Sequence, residues 1–242
     1  MRRYVLRESG SWGVMVLSYL AGLSVSGRAS AGSIAGFIAL CLYVNSKQAL
    51  TVWIRSDASS SQGPRAAFIA QALAASVILF SLLGTDLVRF LPYAVVPMTY
   101  LVLLRFSGEH AFPTEVAGFT LLSLSSLISR YVLSGEIDFR LYLAVAIFFA
   151  AGVFKVRAKL RRGTFERASM VFYVMAALVA YHLIKIPVIV LLPLADNLIF
   201  AVFLYRVKLK TAGWIEVIKG VAYLVLITSN YKMIHMFPAY FR

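Results

Sequence analysis

The chain has 242 residues, 61% of them hydrophobic and only 14% charged, with a formal net charge of +14. A water-soluble domain is about a quarter charged, so this composition has too little polar surface to cover a globule in water, and the bilayer must be its solvent. The positive charge does not point to nucleic acid, because the Lys and Arg residues cluster at the ends of apolar runs, where topology signals and lipid headgroup contacts occur.

Arg2, Arg3 and Arg7 precede the first apolar stretch as in a signal peptide, but the many apolar runs that follow make it a retained span. Backbone polar groups in a bilayer must be satisfied internally, and continuous apolar runs of roughly 17 to 24 residues select helices over barrel strands. The expected fold is therefore all-α, a polytopic transmembrane helical bundle. Nine spans are expected, at 11–27, 31–54, 66–83, 88–105, 115–134, 138–154, 169–186, 187–205 and 214–231. Only Lys185-Ile186-Pro187 divides the seventh from the eighth, and eight spans result if 169–205 is a single helix kinked at the proline. No polar segment is large enough to fold separately in water, so a single membrane domain is expected over 1–242. There is no short-period repeat. The single cysteine, Cys41, excludes an intrachain disulfide and cysteine-rich metal sites.

With nine spans, sixteen basic residues fall on the side of the N-terminus, from Arg2 through Lys47, Lys155 and Arg157 to Lys210, and eight on the other, including Arg130, Lys185 and Lys219. The positive-inside rule places the N-terminus in the cytoplasm and the C-terminus outside. The stretch 155–167 concentrates six positive charges around Glu166, and it serves either as a topology signal or as a contact for anionic lipid.

Ionisable groups inside spans are costly, so they are the first candidates for function. Asp196, followed by Asn197, lies in the eighth span; it serves either as a cation, proton or polar-substrate site or as the partner of a basic group on a neighbouring helix. Glu216 and Lys219 stand three apart in the ninth and share a helix face, as a local ion pair or with Glu216 facing a cavity. Asn45, Ser46, Lys47 and Gln48 cover all sides of the second helix, so some of them face protein or water; Lys47 either snorkels to the headgroups, receives an anionic headgroup or pairs with Asp196. Gly32 and Gly36 in the second span, and Ser123, Ser126 and Ser129 in the fifth, allow close helix approach. His110, His182 and His235 have no metal-ligand spacing, and no nucleotide-binding, zinc-protease or nucleophile-elbow motif is present.

Three further features carry a family resemblance: Arg7-Glu8-Ser9-Gly10-Ser11-Trp12-Gly13 before the first span, Val156-Arg157-Ala158-Lys159-Leu160-Arg161-Arg162 after the sixth, and Gly213-Trp214-Ile215-Glu216-Val217 opening the last. In that order they resemble the YwiC-like membrane proteins, with Ser9 where that family has a histidine. The nine-span layout is also similar to the UbiA-type prenyltransferases, whose Asp-rich motifs after spans two and six bind magnesium and a prenyl diphosphate. This chain has only Asp57 at the first of those places and no aspartate at the second. The resemblance implies a scaffold for a lipid or isoprenoid ligand without the standard metal catalysis, and no cofactor or resident metal is expected.

The leading expectation is a multispanning protein that binds a lipid or isoprenoid-like ligand in a cytoplasm-facing cavity, with Asn45, Lys47, Asp57, Arg157, Asp196 and Glu216 as ligand-binding candidates and membrane lipids as partners. A prenyl or lipid transferase, a proton- or cation-coupled transporter and an accessory subunit of a membrane complex are the alternatives.

Overall fold

The structure is a computed structural model that describes residues 9–55, 62–203 and 209–236. Among these residues there are nine α-helices and no strand. They are α1 (Ser9–Ser26), α2 (Ala31–Arg55), α3 (Gln62–Leu83), α4 (Val95–Ser107), α5 (Phe112–Ser134), α6 (Phe139–Arg161), α7 (Thr164–Leu183), α8 (Ala195–Phe203) and α9 (Leu209–Met236). Apolar side chains cover much of the outer surface, including Val77 and Phe80 on α3, Val102 and Phe106 on α4 and Phe172 on α7. Such a surface is solvated by lipid tails and not by water, and the chain is a polytopic helical membrane protein.

The fourth and eighth spans depart from the expected bounds. A 3-10 helix, Gly84–Ala94, leads into α4, and a second, Val188–Leu194, leads into α8. Each contains a proline, Pro92 or Pro193, that lacks the N–H needed for α-helical bonding, so each of these segments begins in the tighter winding and continues as α-helix. The seventh and eighth segments are separate elements, because Lys185 turns at φ 59° and Pro187 is extended. That removes the single-helix alternative for 169–205.

The order of elements repeats: three α-helices and a 3-10/α composite, the same series again, and then α9. The repeat keeps register. Gly27 and Gly135, which end α1 and α5 at φ 66° and 70°, stand 108 residues apart, as do Ala31 and Phe139, which begin α2 and α6. Gly84 and Lys185, both at positive φ after the third helix of their unit, stand 101 apart, as do Pro92 and Pro193.

Helix association in lipid depends on packing and interhelical hydrogen bonds more than on expulsion of water. The closest seam joins α1 to α5. A Cβ on Gly22 would overlap the Ser129 hydroxyl and the Ser126 carbonyl oxygen, so the helices approach to backbone contact. The Ser125 hydroxyl donates to the Met15 carbonyl at 3.0 Å across the same seam. Gly36 gives room to the Tyr19 hydroxyl, which donates to the Ser33 carbonyl. The main core joins α1, α6, α7 and α9, where Phe148 stacks on Tyr223 with ring centroids 3.9 Å apart and the Tyr181 hydroxyl donates to the Ala144 carbonyl at 2.8 Å. Asp138 caps α6, accepting from the Leu141 N–H at 3.0 Å and from the Tyr231 hydroxyl at 2.5 Å.

Candidate functional site

Helix α3 packs chiefly on α2, and α4 chiefly on α5. Between these two pairs lies a cavity of about 710 Å³. Its inner wall is apolar, with Met15 and Leu40 on α1 and α2, Leu79 on α3, Leu101 on α4, and Leu121 and Ile128 on α5. From Thr114 in the first turn of α5 to Ile128 is fourteen helical steps, or about 21 Å at 1.5 Å per residue. The cavity is therefore long and narrow, and it runs along the bundle.

Its charged lining gathers at one end. Ser46 and Lys47 come from the last part of α2, Glu109 and His110 from the turn after α4, and Thr114 and Glu115 from the start of α5. Lys47 Nζ stands 3.5 Å from Glu109 Oε1. Arg157 on α6 closes over Glu115, donating from Nε at 2.9 Å, and holds the turn by donating to the His110 carbonyl at 2.7 Å. The Arg157 guanidinium also lies over the Phe112 ring, 5.1 Å from its centroid. The Thr114 hydroxyl is buried on the cavity wall with no hydrogen-bond partner.

A second charged cluster lies between α6, α8 and α9. Lys155 on α6 contacts Asp196 and, at 2.9 Å, Glu216. Lys219 contacts Asp196 at 3.4 Å and Glu216 at 3.0 Å, and donates to Asn197 Oδ1 at 2.5 Å. Both lysines are buried, with side chains 5% and 7% exposed. Among the described residues two ammonium groups thus share two carboxylates. Lys219 belongs to the same end of the bundle as Lys155, not to the opposite face as the sequence count has it; the correction makes that end still more basic.

The six sequence candidates therefore divide. Lys47 lines the cavity mouth and Arg157 holds it from behind through Glu115 and the His110 carbonyl, whereas Asp196 and Glu216 belong to the second cluster, so Lys47 pairs with Glu109 and not with Asp196. Asn45 donates to Gln71 at 2.9 Å, tying α2 to α3 beside the cavity. Asp57 lies outside the described residues. Lys155 reads in the sequence as the first of a juxtamembrane basic run, yet it is the centre of the second cluster. Glu109, Glu115 and Thr114 escape notice because they flank a Phe-Pro helix start and look like solvated loop residues.

Among the described residues no group of three or more His, Cys, Asp or Glu side chains is placed to hold a metal. The end of α6, where the prenyltransferase resemblance implies carboxylates, carries Lys155, Arg157, Lys159 and Arg161 instead. These residues do not fit a magnesium–diphosphate centre, which needs several oxygen ligands from the protein.

A family model described as YwiC-like protein matches residues 5–130. No curated protein and no solved structure matches the chain. The matched stretch is just over half of the sequence and takes in α1 to α4 with all but the last turn of α5, the helices that supply most of the cavity wall. The chain belongs to the YwiC-like family of multispanning membrane proteins.

Proposed function

We propose that the protein binds one lipid-like molecule, its hydrocarbon tail in the cavity between α2–α3 and α4–α5 and its polar head at the Lys47–Glu109 mouth. The single observation that carries this reading is the joining of a long, mainly apolar cavity to charged groups that lie at one of its ends. A volume of about 710 Å³ is in the range of small-molecule sites, and a long apolar wall with convergent polar groups at one end fits a chain with one polar terminus. A soluble metabolite would leave most of that wall without hydrogen-bond or apolar complement. We place the lateral entry of the lipid from the bilayer between α3 and α4, where Leu73 and Val77 on α3 and Met98 and Val102 on α4 present apolar side chains outward on either side. By the positive-inside rule the mouth faces the cytoplasm.

The test is retention of lipid by the purified protein, read by native mass spectrometry from mild detergent. We expect one bound lipid per chain in the wild type, and its loss in Ala72→Phe, which fills the cavity from the α3 wall. Absence of any stoichiometric lipid, or retention unchanged in a folded Ala72→Phe protein, would overturn the reading.

A further inference from the structure

One polar group on the cavity wall is left over by the protein itself. Thr114, in the first turn of α5, is 1% exposed and lines the cavity, and its hydroxyl has no hydrogen-bond partner. Every other Ser and Thr of α5 donates its hydroxyl to a backbone carbonyl, among them Thr120 to Val116 at 3.0 Å and Ser123 to Phe119 at 2.9 Å. Bonding back to a carbonyl three or four residues earlier is the ordinary fate of a helical hydroxyl. For Thr114 the carbonyl four residues back is that of His110, in the turn before the helix, and Arg157 holds it at 2.7 Å. A buried hydroxyl with no acceptor is costly, so one kept on a cavity wall marks where an oxygen of the ligand is received.

Its level on the wall says which oxygen. Lys47 and Glu109, 3.5 Å apart, mark the mouth. Thr114 stands in chain order between Glu109 and the largely apolar run of α5 that goes from Phe119 to Ile128. One turn beyond Thr114, Gly118 lets the Tyr100 ring close on α5, for a Cβ there would stand 3.4 Å from Tyr100 Cε2. Charged groups thus lie to one side of Thr114 and hydrocarbon to the other, so its hydroxyl meets the part of a lipid where head and tail join. In an acyl ester that junction carries a carbonyl oxygen, a strong acceptor with no hydrogen of its own. In an alkyl ether or a prenyl chain it offers only a bridging oxygen, a poor acceptor.

We infer that the lipid held in the cavity is an acyl ester whose ester carbonyl accepts a hydrogen bond from the Thr114 hydroxyl. This rests on the proposed lipid-binding role and adds the class of linkage that the protein selects. The apolar wall gives an acyl and an alkyl tail of one length the same contacts. The discrimination is therefore that of a single hydrogen bond, about fivefold in affinity.

The experiment uses the full-length protein, stripped of lipid in detergent and titrated by native mass spectrometry with 1-oleoyl lysophosphatidylcholine and with its 1-O-oleyl ether. The two share head, chain length and double bond and differ only in the carbonyl, and a single chain suits a cavity of about 710 Å³. We expect the wild type to bind the ester about fivefold more tightly than the ether. Thr114→Val, nearly the same shape, should weaken ester binding about fivefold and leave ether binding unchanged, whereas Thr114→Ser, which keeps the hydroxyl, should retain the preference. Ether binding as tight as ester binding in the wild type would overturn the inference. So would a preference that survives in a folded Thr114→Val protein, or a loss in that variant equal for both lipids. If Thr114→Val does not fold, the wild-type ratio and Thr114→Ser decide. Equal binding of the two lipids leaves the cavity reading intact, whereas no binding of either sinks both.

Discussion

Replacing Lys155 with Met removes one of the two ammonium groups that hold α8 and α9 against α6. Lys155 contacts Asp196 and Glu216, and its side chain is 5% exposed. Breaking a buried pair by deleting one partner costs about 3–5 kcal/mol, because the other charge is left behind. Two features reduce that figure here. The carboxylates are 27% and 32% exposed, and Lys219 remains 3.4 Å from one and 3.0 Å from the other. We therefore expect Lys155→Met to cost about 2–3 kcal/mol, a fall in melting temperature of about 4–12 °C for a chain of this size. Adding Glu216→Gln removes the matching negative charge and leaves Lys219 with Asp196 and Asn197, so the double variant should recover at least about 1 kcal/mol relative to the sum of the single changes. Equilibrium unfolding in mixed micelles, followed by circular dichroism, gives all four corners of the cycle. A loss below about 0.5 kcal/mol for Lys155→Met, or strict additivity in the double variant, would refute the shared-charge account.

Gly22→Ala should destabilise by about 1–3 kcal/mol through overlap with the Ser126 backbone, whereas Gly13→Ala, whose new Cβ meets nothing within 4 Å, should change stability by less than about 1 kcal/mol; the same unfolding assay compares them. Lys185→Gly should stabilise by about 0.5–1 kcal/mol, because Lys185 holds φ at 59° in a turn whose counterpart is Gly84, and an unchanged or lowered midpoint would count against the strain.

The helices were legible because hydrocarbon demands long apolar runs and satisfied backbones, and the runs at 31–54 and 138–154 map closely onto α2 and most of α6. The change of winding at Pro92 and Pro193 was not, since a 3-10 and an α-helix draw on the same apolar residues and differ only in hydrogen-bond register. The long repeat was hidden for a related reason. Its register is kept by turn residues and a lysine, such as Gly27 with Gly135 and Lys47 with Lys155, while the helix faces between them have diverged as apolar side chains exchange freely against lipid. The candidate site was legible one residue at a time. Lys47, Arg157, Asp196 and Glu216 each stand out as charges near apolar runs, but their partners lie far along the chain: Lys47 meets Glu109, and Lys155 meets residues 41 and 61 positions away. Helix spacing fixes only neighbours three or four residues apart, as it did for Glu216 and Lys219.

The backbone-to-backbone seam at Gly22 makes one side of the binding chamber unyielding, for α1 and α5 have no side-chain cushion left to compress. The opposite side is formed by α3 and α4, which are joined by the Gly84–Ala94 strap and carry exposed apolar side chains on their outer faces. On that geometry the chamber widens more readily at that flank, while its depth is capped near Ile128 and Leu79. For the lipid proposed above, discrimination then falls on how far a tail reaches, and branching or unsaturation that adds girth is absorbed by the outer arm.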